Sequence, residues 1–340
     1  MLVRGYGRSL LGMAIGAGIC YCAYRLLFAQ RRKKKQRDRV GASSSSAGEK
    51  VLGVSALRYL HETQAATDKP GNVSTSVNDL QPHHIAKLLD ILATNSDSSL
   101  QEKVLITLCN SAAFSVNHDI IRNLDGIHII AKALSSSSEQ TKVNALNALN
   151  NLSMNVQNQE LIKDYIYQIC SAISLSSLNS EVQLAGLRLI INMSVTDNYH
   201  NMVADHLPYL LHLLAEGNNN IQIHTLKVLV NLSANPAMTQ PLLTTKVEGS
   251  QSLTCLFNSR INREILVRVL TFAANLSKHL GSGNGHDLHA NYNEDCLFNL
   301  LFGDSAPLQN DIAALFQYPD VEVKEQVAIL LINLARLRQM

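Results

Sequence analysis

The side chains best equipped for chemistry fall into three sets. His83-His84 and His286-Asp-Leu-His289 bring imidazoles close together, as a metal site would. Cys20, Cys22, Cys109, Cys170, Cys255 and Cys296 supply thiols. Asn-x-Ser triplets at Asn72, Asn151, Asn192, Asn231 and Asn275 match the glycan acceptor pattern of secreted proteins. The histidines have no Cys partners at zinc spacing, and the second pair sits in KHLGSGNGHDLHANYN, which has the composition of a loop. No Cys-x-x-Cys occurs. Four of the cysteines fall in apolar helical patterns, where a thiol is a small hydrophobe, so their usage is that of a reducing compartment. A Gly-rich phosphate loop, a nucleophile elbow and a paired-carboxylate site are all missing from the sequence. The expectation is therefore a protein that is not an enzyme and needs neither cofactor nor metal.

The carboxamides carry more information, because they recur at a fixed place in a helical pattern. Thr141–Asn158, TKVNALNALNNLSMNVQN, is a long apolar helix pattern that reaches Asn-Leu-Ser near its end. The same ending returns as Leu108-Cys-Asn-Ser, Ile191-Asn-Met-Ser, Val230-Asn-Leu-Ser, Ala274-Asn-Leu-Ser and Ile332-Asn-Leu-Ala. With the Asn as ruler, the positions are Asn110, Asn151, Asn192, Asn231, Asn275 and Asn333, at steps of 41, 41, 39, 44 and 58 residues. A period near 40 is the mark of an α-solenoid, in which stacked units share one core. Four of the Asn-x-Ser triplets lie on helices that such a core buries, so a glycan has no room there.

Each unit reads as a short, a medium and a long helix. The pattern predicts helices at His83–Ala93, Leu100–Ala113, Asp119–Leu124, Ile127–Leu134 and Thr141–Ser153, with Gly126 as a breaker. Asp79-Leu-Gln-Pro82 reads as the first helix start, with Ile85, Leu88, Leu89 and Leu92 on one face. Ile221–Leu232 is apolar nearly all round and so must be covered on several sides, which neighbouring repeats do. The last step exceeds the period by about 17 residues. That excess is assigned to a Gly/Asn-rich insert near 278–293, and Val321–Leu337 is expected to close the stack as a cap.

Composition agrees. Apolar residues make up 46% and aromatics 5% with no Trp, so the core is aliphatic, as helix stacks prefer. The net charge of +2 conceals two halves. Residues 1–39 hold ten Arg and Lys against Asp38 alone, leaving 19 basic against 26 acidic residues in the remainder. An acidic body argues against nucleic acid as partner.

The amino terminus is a separate device. Ser9–Tyr24 is uncharged, and after Arg25 the apolar run continues to Ala29. Leu10, Ile15 and Tyr24 mark a helix that reaches about 30 Å if extended to Ala29, the thickness of a hydrocarbon core. The basic flank Arg31, Arg32, Lys33, Lys34, Lys35 and Arg37 follows at once. A cleaved leader would need a small-x-small site where only basic residues stand. A buried globular helix would not be crowded by so many cations. The expectation is a single-pass signal anchor with the body in the cytosol. Its modest apolarity suits a thin membrane, the outer mitochondrial membrane first and the endoplasmic reticulum second. The basic run also matches a nuclear address, which would suit a regulator of growth, survival and transcription-factor activity. Beside an apolar run it is more economically a stop-transfer flank. Cys20 and Cys22 are small membrane-core residues or, alternatively, acylation sites. Residues 40–78 read as a flexible tether and 79–340 as the solenoid.

The long helix ending in Asn-Leu-Ser or Asn-Leu-Ala, at steps of 39 to 44 residues, resembles the armadillo repeat. Asn110–Asn117, Asn144–Ser153 and Asn231–Thr239, with the anchor and its flank, are similar to the membrane-anchored armadillo-repeat family and its X-linked relatives. That resemblance implies an all-α armadillo-type solenoid of about six repeats behind a transmembrane helix. It implies a non-enzymatic role in mitochondrial distribution and dynamics through Miro/TRAK-type kinesin adaptors. In armadillo proteins the ruler Asn lines a groove and bonds an extended peptide. Matched by motif, this falls on Asn110, Asn151, Asn192, Asn231, Asn275 and Asn333. The alternative is that each Asn bonds the backbone of its own repeat. The nuclear-import members carry Trp four residues earlier. Here Ile106, Asn147, Arg188, Lys227, Thr271 and Ile329 stand there, so the surface that stacks basic peptides is missing.

Overall fold

The computed structural model describes residues 80–248, 253–280, 292–303, 312 and 314–337. The anchor residues, the basic flank and the tether lie outside them, as does most of the insert.

Fifteen helices have described bounds, and all pack as an α-solenoid. They are α1 (Pro82–Thr94), α2 (Ser98–Ala112), α3 (His118–Asn123), α4 (Gly126–Lys132), α5 (Glu139–Leu152), α6 (Val156–Ile162), α7 (Ile166–Leu175) and α8 (Glu181–Met193). They continue as α9 (His200–Val203), α10 (Leu207–Glu216), α11 (Asn219–Ser233), α12 (Thr239–Thr244), α13 (Arg263–Leu280), α14 (Leu297–Phe302) and α15 (Val321–Leu337). Among the described residues there is no β-strand, only one isolated bridge between Lys246 and Cys296. No single described helix is long and apolar enough to cross a membrane.

Six long helices, α2, α5, α8, α11, α13 and α15, carry the ruler Asn, and each packs along the next. Their starts are fixed by polar caps. Asp97, Ser138, Ser180 and Asn218 accept from the backbone N–H groups of Ser99, Thr141, Gln183 and Ile221. Asn262 and Asp320 do the same for Glu264 and Glu322. These caps satisfy donors that the first turn leaves without partners. The polar runs between repeats thus set where each long helix begins; α2, α5 and α11 start two residues earlier than apolar periodicity predicts, and α15 starts where it predicts.

The core is a continuous aliphatic seam. Leu226, Val228, Leu229 and Leu232 of α11 are all buried, as the all-round apolar pattern requires. Two glycines permit close approaches. A Cβ on Gly126 would lie 2.5 Å from Ile121 Cγ2, and one on Gly186 would lie 2.4 Å from Ile173 Cγ1. Gly126 therefore lets α3 meet α4, and Gly186 seats α8 against α7.

Two expectations need correction. Lys278, His279 and Leu280 are the last turn of α13, not the start of the insert. Leu280 is buried in the seam, which holds the helix beyond the Asn-Leu-Ser ending. α15 packs along α13, and Ile329, Leu331 and Ile332 are exposed on it. Not all the cysteines outside the anchor are core residues, because Cys255 is exposed in a short 3₁₀ turn, Cys255–Phe257.

The long-helix face and its asparagine ladder

The ruler asparagines are joined in a single pattern. Asn151 Nδ2 donates to the Cys109 carbonyl at 3.0 Å. Asn192 Nδ2 donates to the Asn150 carbonyl at 3.2 Å, and Asn231 Nδ2 to that of Ile191 at 3.4 Å. Asn275 Nδ2 donates to Val230 at 3.4 Å, and Asn333 Nδ2 to Ala274 at 3.3 Å. In every case the acceptor is the residue just before the preceding ruler Asn. The carboxamide therefore reaches back one repeat. This corrects the alternative in which each Asn serves its own repeat: the carboxamide adds a donor to a carbonyl of the preceding long helix, a partner that stacking brings within reach.

The serine of Asn-x-Ser completes the joint. Ser153, Ser194, Ser233 and Ser277 are buried, and each Oγ donates to the same carbonyl that the next Asn uses, at 2.7, 3.1, 3.0 and 2.9 Å. Each Oγ in turn accepts from that next Asn Nδ2, at 3.0 to 3.1 Å. A carbonyl with two lone pairs, a hydroxyl and an amide thus form a closed triangle. The glycan-like triplet is the code for this joint. Sequence reading located both residues and missed what binds them, because the partner lies some 40 residues away.

A second row caps the same helix ends. His118 Nε2 donates to the Ala112 carbonyl at 2.8 Å, Gln159 Nε2 to Ser153 at 2.7 Å and His200 Nε2 to Ser194 at 3.0 Å. Each stands eight residues after a ruler Asn, a recurrence that the sequence displays. In the next repeat that place is Thr239, whose buried Oγ1 has no partner among the described residues.

The six ruler residues are not equivalent. Asn110 is exposed, and its side chain makes no hydrogen bond among the described residues, where no earlier helix carrying a ruler Asn stands behind it. Asn192 and Asn333 are buried, while Asn151, Asn231 and Asn275 are half-buried. Among the described residues the Oδ1 atoms of all six accept no hydrogen bond. The ladder uses the donor ends of five carboxamides and leaves the acceptor ends of all six for a visitor.

Beside the ladder runs a charged strip. Arg188 and Lys227 lie one turn before Asn192 and Asn231, and Arg268 lies two turns before Asn275, so they share its face. Glu264 bonds Arg268 at 2.8 Å and lies 3.7 Å from Lys227. Its carboxyl, which burial pushes up, is nevertheless held below the usual carboxylate range by Arg268 and Lys227. His224 sits among them. Burial, then Lys227 and Arg188, hold its imidazole below its ordinary value.

The other candidates for chemistry are inert here. Burial pushes the Cys109 thiol up to about 11 and the Cys170 thiol up to about 12, so neither is a thiolate nucleophile. His83 and His84 have ring centroids 3.9 Å apart, with their planes tilted by 44°. No three His, Cys, Asp or Glu side chains gather as a metal site among the described residues, and His286 and His289 lie outside them. Asn110, Asn151, Asn192, Asn231, Asn275 and Asn333 are thus brought to one face. Leu10, Ile15 and Tyr24, and Arg31, Arg32, Lys33, Lys34, Lys35 and Arg37, fall outside the described residues.

Comparison with known proteins agrees with this geometry. A family model described as Armadillo-like matches residues 80–302. A designed armadillo repeat protein is 17% identical, with a TM-score of 0.59 over 74% of this chain and 99% of its own. Another, solved in complex with the peptide (KR)4, is 16% identical with the same TM-score and the same coverage. An engineered protein is 19% identical, with a TM-score of 0.59 over 74% of this chain and 96% of its own.

Proposed function

Because the chain belongs to the armadillo-like family, we propose that it is a protein-interaction scaffold whose long-helix face docks an extended segment of another protein. The observation that carries this is the set of six carboxamides with their Oδ1 atoms unused, spaced by the repeat along one face. An extended chain presents backbone N–H groups at intervals that such acceptors can meet. The peptide complex of the designed relative supports the same mode of use. No catalytic role is assigned to any residue.

The body works at a membrane. The uncharged run around Leu10, Ile15 and Tyr24, followed by Arg31–Arg37, supports a single-pass anchor with the solenoid on the cytosolic side. A tether over 40–78 lets the solenoid range tens of ångströms from that surface. The resemblance to the membrane-anchored armadillo family supports the outer mitochondrial membrane as the site, and Miro/TRAK-type motor adaptors as the docked proteins.

Two measurements test this. The tagged full chain should stay with mitochondrial membranes through alkaline extraction, and its carboxy-terminal tag should be lost to external protease. A soluble or protected tag overturns the anchor. A photo-crosslinking residue at Asn147 or Thr271, on the long-helix face, should capture a protein in cells. The same residue at Leu175, which is 88% exposed on α7, should not. Capture from Leu175 alone would place docking on the other side of the stack.

A further inference from the structure

We propose that the segment docked on the long-helix face is acidic, with its anionic groups seated against Arg188, Lys227 and Arg268. This rests on the reading that the face docks a protein, and it adds the chemistry of the partner.

The case begins with sign. The chain beyond residue 39 has 19 basic and 26 acidic residues, yet at the middle of this face three cations meet one carboxylate. That carboxylate, Glu264, is shared by Arg268 and Lys227. Arg188 is exposed and has no ion-pair partner among the described residues. Like charges held together in an acidic body repel one another, and an anionic visitor relieves that repulsion. Burial, with Lys227 and Arg188 acting on it, holds the half-buried His224 imidazole below its ordinary value, a sign of the positive field on this face.

Geometry matches the sign. Each cation lies one or two turns from a ladder carboxamide on its own helix, and the three helices α8, α11 and α13 are consecutive neighbours. An extended segment whose N–H groups meet the Asn192, Asn231 and Asn275 Oδ1 atoms therefore runs past all three cations. Guanidinium groups suit carboxylate and phosphate alike, so aspartate, glutamate and phosphoserine side chains share the required chemistry. The chain's own basic run, Arg31–Arg39, has the wrong sign to occupy this stretch.

The test uses the full chain in lipid nanodiscs and fluorescence polarisation. The probes are labelled peptides of one length, (Glu-Ser-Ala)4, its phosphoserine counterpart and (Lys-Ser-Ala)4, with a twelve-nucleotide oligothymidine. One or both acidic probes should bind, and the arm that binds tighter tells carboxylate from phosphate. Arg188→Glu with Lys227→Glu should weaken that binding by about tenfold or more, since like charges across a docked surface are costly. Arg188→Gln alone should weaken it less, and both proteins should keep the wild-type helical circular dichroism spectrum at the assay temperature. The proposal is overturned if (Lys-Ser-Ala)4 or the oligonucleotide binds as well as the acidic probes. It is also overturned if no probe binds, or if the double charge reversal leaves acidic binding unchanged. Crosslinking from Asn147 and Thr271 needs no charged probe, so it separates a wrong partner chemistry from a wrong docking face.

Discussion

The joint at Asn192 and the place of Asn110 contrast sharply. Both residues are the Asn of the same motif, near the end of the same kind of helix. Asn192 is buried, and its Nδ2 meets the Asn150 carbonyl, Asn150 Oδ1 and Ser153 Oγ. Asn110 stands exposed with no such partner. The difference lies in what precedes each: α8 has α5 behind it, and among the described residues α2 has no earlier helix with a ruler Asn. A rung is therefore a property of two adjacent repeats, and a motif that looks periodic in sequence is unequal in energy. The rungs also vary in chemistry. Behind Asn151 the serine place is taken by Ala112, so that rung has only the Cys109 carbonyl and a long approach to Cys109 Sγ at 3.5 Å.

The largest effect expected from this contrast lies in the core. Leu229→Ala, at a fully buried site in α11, should cost about 2–5 kcal/mol of stability by denaturant melt. Ile332→Ala, 53% exposed on the last helix, should cost less than about 0.5 kcal/mol. Equal losses would mean that the end of the stack is covered. Next comes the ladder itself. Asn192→Asp puts an acceptor where a donor must face a carbonyl and a hydroxyl, and should cost about 1–3 kcal/mol. The same change at Asn110 should stay within about 0.5 kcal/mol.

Smaller effects sharpen the comparison among rungs. Ser233→Ala removes a donor to the Val230 carbonyl and an acceptor for Asn275, and should cost about 1 kcal/mol. Ala112→Ser should stabilise by up to about 1 kcal/mol, because it supplies the missing corner of the Asn151 triangle. The smallest effect concerns pH. Burial lowers the pKa of His206, His224 and His279 in the fold. The unfolded chain then takes up protons first. Stability should be complete above about pH 6.5 and fall as pH drops below it. His206→Gln should flatten that slope in a series of melts from pH 7.5 to 5.

Much of the architecture is legible in the chain. The six long helices, the buried faces of α1 and α11, and the bounds of α15 follow from apolar periodicity and from the ruler Asn. Periodicity does not reveal the far partner. Asn231 gives no local sign that it bonds Ile191 and Ser194, because that contact depends on how two repeats stack. The row of His118, Gln159 and His200 escaped for another reason: three residue types perform one task, so their recurrence is chemical rather than literal. Arg188 and Lys227 stood out in the sequence only as places lacking Trp. Their meeting with Arg268 and Glu264 required the stack. Lys278–Leu280 read as loop because Gly and Asn follow, while the buried Leu280 ties them to the helix.

The most direct test is a double-mutant cycle on one rung. Asn231→Ala, Ser194→Ala and the double variant should show a coupling of about 0.5–1.5 kcal/mol, the size of one hydrogen bond. Asn110→Ala with Ala113→Gly, where no rung exists, should be additive within about 0.5 kcal/mol. Coupling at Asn231 alone would show that Asn-x-Ser joins one repeat to the one before it. Additivity at Asn231 and Ser194 would contradict the ladder, and with it the assignment of the Oδ1 atoms to a docked partner.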